Sequence, residues 1–177
     1  MKVFRISAVA GLVGALAMPL ALAQGIKGND TGDVSPATFV KKASHINLGE
    51  IDLGTLASKR SARADVKEYG QRLVTDHQKA YNDLKKIAAG DNLQVSTSID
   101  KTHKDLATRL GALQGASFDR EFLPAMVNGH KEAIQLFEAQ ANSGRDVALK
   151  SYAQRCLPVL RDHLKMAEDL QPVKANK

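Results

Sequence analysis

Four ionisable residues stand where a greasy core would take a leucine: Glu50, His77, His130 and His163. Each lies near the middle of a run of small and apolar residues recurring at alternating steps of four and three, a spacing that returns to one helix face. The run through His77 reads Val66, Gly70, Leu73, His77, Ala80, Leu84, Ile87. Glu50 sits among Phe39, Ala43, Ile46, Leu53 and Ala57, and His130 among Leu123, Met126, Ala133 and Phe137. His163 follows Leu149, Ala153, Cys156 and Leu160 and precedes Ala167 and Leu170. Asp119 opens the seam of His130, and Asp76 adjoins His77. A buried carboxylate or imidazolium without a partner is costly, so these groups must meet one another, the backbone, water or a metal.

The residue types suit three kinds of chemistry. Carboxylates and imidazoles projecting inward from four helices are how di-iron and di-manganese bundles hold their metals. Imidazole also suits zinc and copper. The di-metal pattern needs Glu-x-x-His on two helices, however, and the residues three before His77 and His163 are Val74 and Leu160. Glu121 and Glu132 fall off the seams. A mononuclear site of histidines with Glu50 is therefore the metal reading, with Asp76 and Asp119 as weaker ligands and iron, manganese, zinc or copper as the ion. The second reading is a buried hydrogen-bond network that fixes helix register. The third is a small metal-dependent oxidase or peroxidase, which adds an open coordination position. No nucleophile elbow, phosphate-binding glycine loop or Cys-x-x-Cys is present. His45 and His103 read as surface or boundary residues, and Tyr69, Tyr81 and Tyr152 as packed rings with wet hydroxyls.

Four long helices must position these groups. The first opens with Ser35 as N-cap and Pro36 at the first helical position, and closes near Lys59-Arg60, cations that suit a helix C-terminus. A tight connection at 61–63 makes the second helix its antiparallel partner, ending at Gly90. Residues 90–116 form a long crossover with a short helix of its own, capped from Ser96 to Ser98 and carrying Leu106 and Leu110. The third long helix starts around Ser117, with Pro124 inside its pattern as a kink or a true start. Asn142-Ser143-Gly144 turns the chain into the fourth, with a bend at Pro158. Two tight hairpins joined by one long connection are the connectivity of ferritin-like bundles, so the fold class is all-α, a ferritin-like four-helix bundle.

Composition agrees. Hydrophobic residues make up 44% of the 177, Trp is absent, and charged residues reach 25% with both signs interspersed, as helices rather than strands or a disordered chain require. Residues 1–23 read as a signal peptide: Lys2 and Arg5, an apolar stretch from Ile6 to Leu16, and Ala21-Leu22-Ala23 as a small-x-small cleavage site. The expected location is periplasmic or secreted, with no transmembrane span once that segment is removed. Residues 24–35 read as a disordered leader, 36–171 as the bundle and 172–177 as a flexible tail. The formal charge of +6 loses two with Lys2 and Arg5, and a balance that small, spread along the chain, is no nucleic-acid footprint. Cys156 is the single cysteine and reads as a buried, inert thiol, with no internal disulfide open to it. A homo-oligomer or an envelope protein are the partners left open.

Several of these residues fall in short motifs: Glu50 followed by Leu53-Gly54-x-Leu56-Ala57; Val74-x-Asp76-His77; Phe118-Asp119-x-x-Phe122-Leu123; His130; and Leu157-Pro158-x-Leu160-x-x-His163-Leu164. The combination, from Thr38 to Leu170, resembles the bacterial family catalogued as domain of unknown function 4142, described as ferritin-like. The resemblance implies a ferritin-like bundle in the cell envelope and carries Glu50, Asp76, His77, Asp119, His130 and His163 as motif residues. It implies no substrate. The expectations that follow are a metal-binding protein linked to envelope stress or, from another class, a non-catalytic structural or interaction scaffold.

Overall fold

The computed structural model describes residues 35–171. Residues 1–34, where the signal peptide and most of the leader are expected, and 172–177, the expected tail, lie outside the described residues. Five helices run α1 (Pro36–Arg60), α2 (Ala64–Gly90), α3 (Lys101–Gly111), α4 (Gly115–Ser143) and α5 (Val147–Leu170), with no strand among the described residues. The helix starts follow from local chemistry. Ser35 accepts from the Thr38 amide ahead of Pro36, Asp100 accepts from the His103 amide, and Asp146 accepts from the Leu149 amide. The crossover helix thus starts at Lys101 behind an aspartate cap rather than from Ser96–Ser98. The third long helix, α4, begins at Gly115, two residues before Ser117, and runs through Pro124 without interruption, as α5 does through Pro158.

Two apolar clusters show how the helices are threaded. One joins the start of α1 (Phe39, Val40, Ala43) to the end of α2 (Leu84, Ala88), the end of α4 (Phe137, Ala141) and the start of α5 (Leu149, Tyr152). The other joins the end of α1 (Leu53, Ala57) to the start of α2 (Val66, Tyr69), the start of α4 (Phe118, Phe122) and the end of α5 (Ala167). So α1 and α2 are antiparallel, α4 and α5 are antiparallel, and α2 runs parallel to α4. α2 packs against α1 and α5, and α4 against α5 and α1, so α2 and α4 are diagonal. Because they run parallel, joining the end of one to the start of the other requires a connection spanning the length of the bundle, which the crossover with α3 supplies. The chain is a ferritin-like four-helix bundle.

The crossover is stapled by side chains the periodicity had left at the boundary. His45 Nδ1 donates to the Ser98 carbonyl at 3.0 Å, its Nε2 meets Ser96 Oγ at 3.2 Å, and Tyr81 Oη donates to the Ser96 carbonyl at 2.8 Å. The His103 ring lies against Gly49, where no Cβ would fit. Both histidines are half-buried and structural. Along α1 and α2 the backbones approach closely at Gly54 and Gly70: a Cβ on Gly70 would lie 2.7 Å from the Gly54 carbonyl oxygen and 2.7 Å from the Ala57 methyl.

Candidate metal centre

Between the two apolar clusters lies a polar layer. Each long helix passes from one cluster to the other at its ionisable residue: α1 at Glu50, α2 at His77, α4 at His130, α5 at His163. The histidines are buried, at 3%, 1% and 0% exposure in chain order, so bulk solvent does not reach them. His77, His130 and His163 converge. Their ring centroids are 5.9, 5.3 and 5.4 Å apart (77–130, 77–163 and 130–163), and each offers a ring nitrogen within 4.8 Å of those of the other two.

The outer nitrogen of each ring has a defined acceptor. His77 Nδ1 faces Asn47 Oδ1 at 3.0 Å, His130 Nδ1 faces the Met126 carbonyl at 2.9 Å, and His163 Nε2 faces Asp76 Oδ2 at 2.9 Å. All three acceptors are oxygens without a proton to give, so in each case the imidazole N–H is the donor. The inner nitrogens (Nε2 of His77, Nε2 of His130, Nδ1 of His163) are then bare lone pairs, and all three are buried without a hydrogen-bond partner. The Asn47 amide is oriented in turn: its Nδ2 donates to Tyr152 Oη at 3.2 Å, which donates to the Ala80 carbonyl at 3.2 Å.

Electrostatics disfavour the charged form of two of the rings. Burial holds His77 far below the ordinary imidazole range, reinforced by the neighbouring His130 and His163. Burial also lowers His163, to about 4, and outweighs the upward pull of the Asp76 hydrogen bond. A neutral imidazole with its second nitrogen tied to an acceptor is the form that ligates a metal.

The other expected residues take different places. Glu50 is buried beside His130, its Oε1 3.8 Å from Nδ1, the outer nitrogen rather than the inner one. Burial raises its carboxyl, with His130 and His103 pulling the other way, and its Oε2 has no partner. Asp76 supports His163 from outside and is paired with Arg72 at 3.3 Å. Asp119 is buried near the start of α4, three turns from His130, in a hollow shared with Arg63, Arg120 and Gln171. Asn47 escaped the sequence reading because a neutral amide three residues from Glu50 carries no signal of its own. Tyr69 escaped because its hydroxyl, expected to be wet, is buried without a partner, its pKa raised by burial and by the Glu50 charge. Cys156 is half-buried rather than sealed, hydrogen-bonded to Tyr152, and burial pushes its thiol up to about 11.

A family model described as Domain of unknown function (DUF4142) matches residues 21–170. The chain belongs to this family. No curated protein matches this DUF4142 chain. Among solved structures it is similar to a DUF305 fragment from Deinococcus radiodurans, with a TM-score of 0.67 and 14% identity, covering 78% of this chain and 97% of that one. It is also similar to a protein from Streptomyces coelicolor described as a "putative secreted protein DUF305", with a TM-score of 0.64 and 13% identity over 75% and 88% of the two chains. At such identities the likeness is one of fold. Among the described residues, no helix of the DUF4142 bundle is long and apolar enough to cross a membrane.

Proposed function

We propose that this DUF4142 bundle is an exported protein that binds one transition-metal ion through His77, His130 and His163. The observation that carries the reading is the set of three buried, partnerless inner nitrogens, each on a ring whose outer nitrogen is already committed to an oxygen acceptor. A hydrogen-bond network alone would have used those lone pairs; leaving three unsatisfied in one layer costs on the order of 1–3 kcal/mol each. An ion bound at about 2.0–2.1 Å from each nitrogen draws them closer together by about an ångström, a movement of ring rotation. An all-imidazole set favours zinc or copper over manganese, which prefers oxygen donors. Export is supported by Lys2, Arg5, the apolar stretch after them and Ala21-Leu22-Ala23.

The test is elemental analysis of untagged protein purified from the periplasm, beside a His77→Ala/His163→Ala variant. Near-stoichiometric zinc or copper in the wild type and its loss from the folded variant is the expected result. Metal-free wild type that also takes up neither ion by calorimetry assigns the histidines to the core network instead.

A further inference from the structure

The histidine layer is sealed. Each inner nitrogen of His77, His130 and His163 has less than 1 Å² of accessible surface, and the two apolar clusters lie on either side of the layer. The cleft between α2 and α5 meets the outer side of the rings: Asn47 and Asp76, the acceptors of the outer nitrogens, line it, and His130 does not. Among the described residues, no cysteine or carboxylate joins the three rings at ligand spacing. Glu50 lies on the outer side of His130, 3.8 Å from Nδ1. The Tyr69 hydroxyl is buried without a partner, its ring centroid 6.4 Å from that of His163, and burial holds its proton on. The centre therefore offers three neutral nitrogen donors, without a fourth protein ligand or a route for bulk water to supply one.

Ions differ in whether that set is enough. Zinc takes four ligands in structural sites, and where the protein gives three, water takes the fourth place. Cu(II) prefers tetragonal surroundings of four or more donors. Cu(I), with a filled d shell and a single charge, is satisfied by two or three. Charge points the same way. The cost of burying an ion grows as the square of its charge, so a divalent ion costs about four times as much as a monovalent one of equal size. Asp76 is already paired with Arg72 at 3.3 Å. That leaves Glu50, which has no lysine or arginine partner among the described residues, as the uncompensated carboxylate of the layer. One such charge balances a monovalent ion. Resting on the metal reading above, we infer that the three-histidine centre is a closed, three-coordinate site for Cu(I), which it holds in preference to Zn(II) and Cu(II).

The experiment titrates the full exported chain with Cu(I) under anaerobic ascorbate, in competition with bicinchoninate, and with Zn(II) and Cu(II) against chelators of known affinity. The wild type is expected to hold Cu(I) at one equivalent, on the order of a hundredfold more tightly than either divalent ion. X-ray absorption of the cuprous protein should show the pre-edge feature of three-coordinate Cu(I), with nitrogen neighbours alone. Cys156→Ser and Tyr69→Phe should leave the Cu(I) affinity unchanged, and His77→Ala/His163→Ala should abolish tight uptake. Zn(II) or Cu(II) bound as tightly as Cu(I), or a fourth light-atom neighbour at the copper, overturns the closed three-coordinate site and leaves the metal reading standing. A sulfur neighbour, or loss of Cu(I) in Cys156→Ser or Tyr69→Phe, gives the ion another ligand and overturns it too. A wild type that takes up none of the three ions overturns the metal reading, and this inference with it.

Discussion

His163 is pulled two ways: burial lowers its pKa, the Asp76 carboxylate raises it, and burial wins at about 4. Because this value lies below that of an exposed histidine, near 6.5, the unfolded chain binds a proton that the folded one refuses between those two pH values. Stability then falls as pH drops through that window. His77 acts with the same sign. Glu50 opposes them, since a raised carboxyl takes up a proton more readily folded than unfolded. His163 and His77 act together, so metal-free protein is expected to lose stability as pH falls from about 6.5 towards 4, in urea unfolding series, and Glu50 moderates the loss. Glu50→Gln should raise metal-free stability at pH 8 by about 1–3 kcal/mol, because it removes a buried charge with one partnerless oxygen, and should steepen the acid loss. The same variant should keep its metal, since Glu50 faces the outer side of His130; a loss of zinc or copper on calorimetric titration would count Glu50 among the ligands. Asp76 and Asn47 set which nitrogen of His163 and His77 is bare. Removing either acceptor, as Asp76→Ala or Asn47→Ala, should cost about 10–100-fold in metal affinity without unfolding the bundle.

At the scale of the elements, the layer's geometry depends on how closely α1 and α2 pack. The Gly54–Gly70 contact brings α1 against α2, so that Asn47 reaches His77 across the hairpin. Gly70→Ala is expected to destabilise by about 1–3 kcal/mol, because the new methyl meets backbone and a neighbouring methyl that cannot move aside. Gly129→Ala is the matched control: its nearest neighbour would be Glu50 Oε1 at 3.5 Å, ordinary contact. Alanine's better helix propensity should make it neutral or stabilising by up to about 1 kcal/mol. Thermal melts of the two variants side by side separate close packing from propensity. The crossover has its own dependence: Gly49 gives the His103 ring its seat on α1, and His45 with Tyr81 ties the loop before α3 to α1 and α2.

For the molecule as a whole, the polar layer divides the core into two apolar halves and supplies little cohesion while its lone pairs are bare. An ion that joins α2, α4 and α5 at this level links the two hairpins across the place where the apolar core is interrupted. Zinc or copper in excess at 100 times its dissociation constant should raise unfolding free energy by about 2.7 kcal/mol, and a chelator should reverse the gain. The His77→Ala/His163→Ala variant should show no metal-dependent shift in its melting temperature. If the variant gains as much as the wild type, the ion is acting on the surface rather than in the layer.

The helices, their order and the crossover were legible in the chain because each rests on local rules: Ser35 before Pro36, Gly90 at the end of α2, and seams with helical spacing. Those rules act within a turn or two of backbone and need no knowledge of neighbours. The same spacing identified Glu50, His77, His130 and His163 as inward, and the family motifs added Asp76. Boundaries slipped where two caps competed, as at Ser96–Ser98 against Asp100. What the periodicity could not separate was Glu50 from the three histidines, since all four lie in seams near mid-helix. A rotation of a fraction of a turn decides whether a side chain enters the centre or flanks it, and that rotation is set by packing between helices. The bare state of the inner nitrogens and the supporting roles of Asn47 and Tyr152 likewise belong to tertiary structure. Each depends on atoms brought together from distant parts of the chain, and no local pattern records such a meeting.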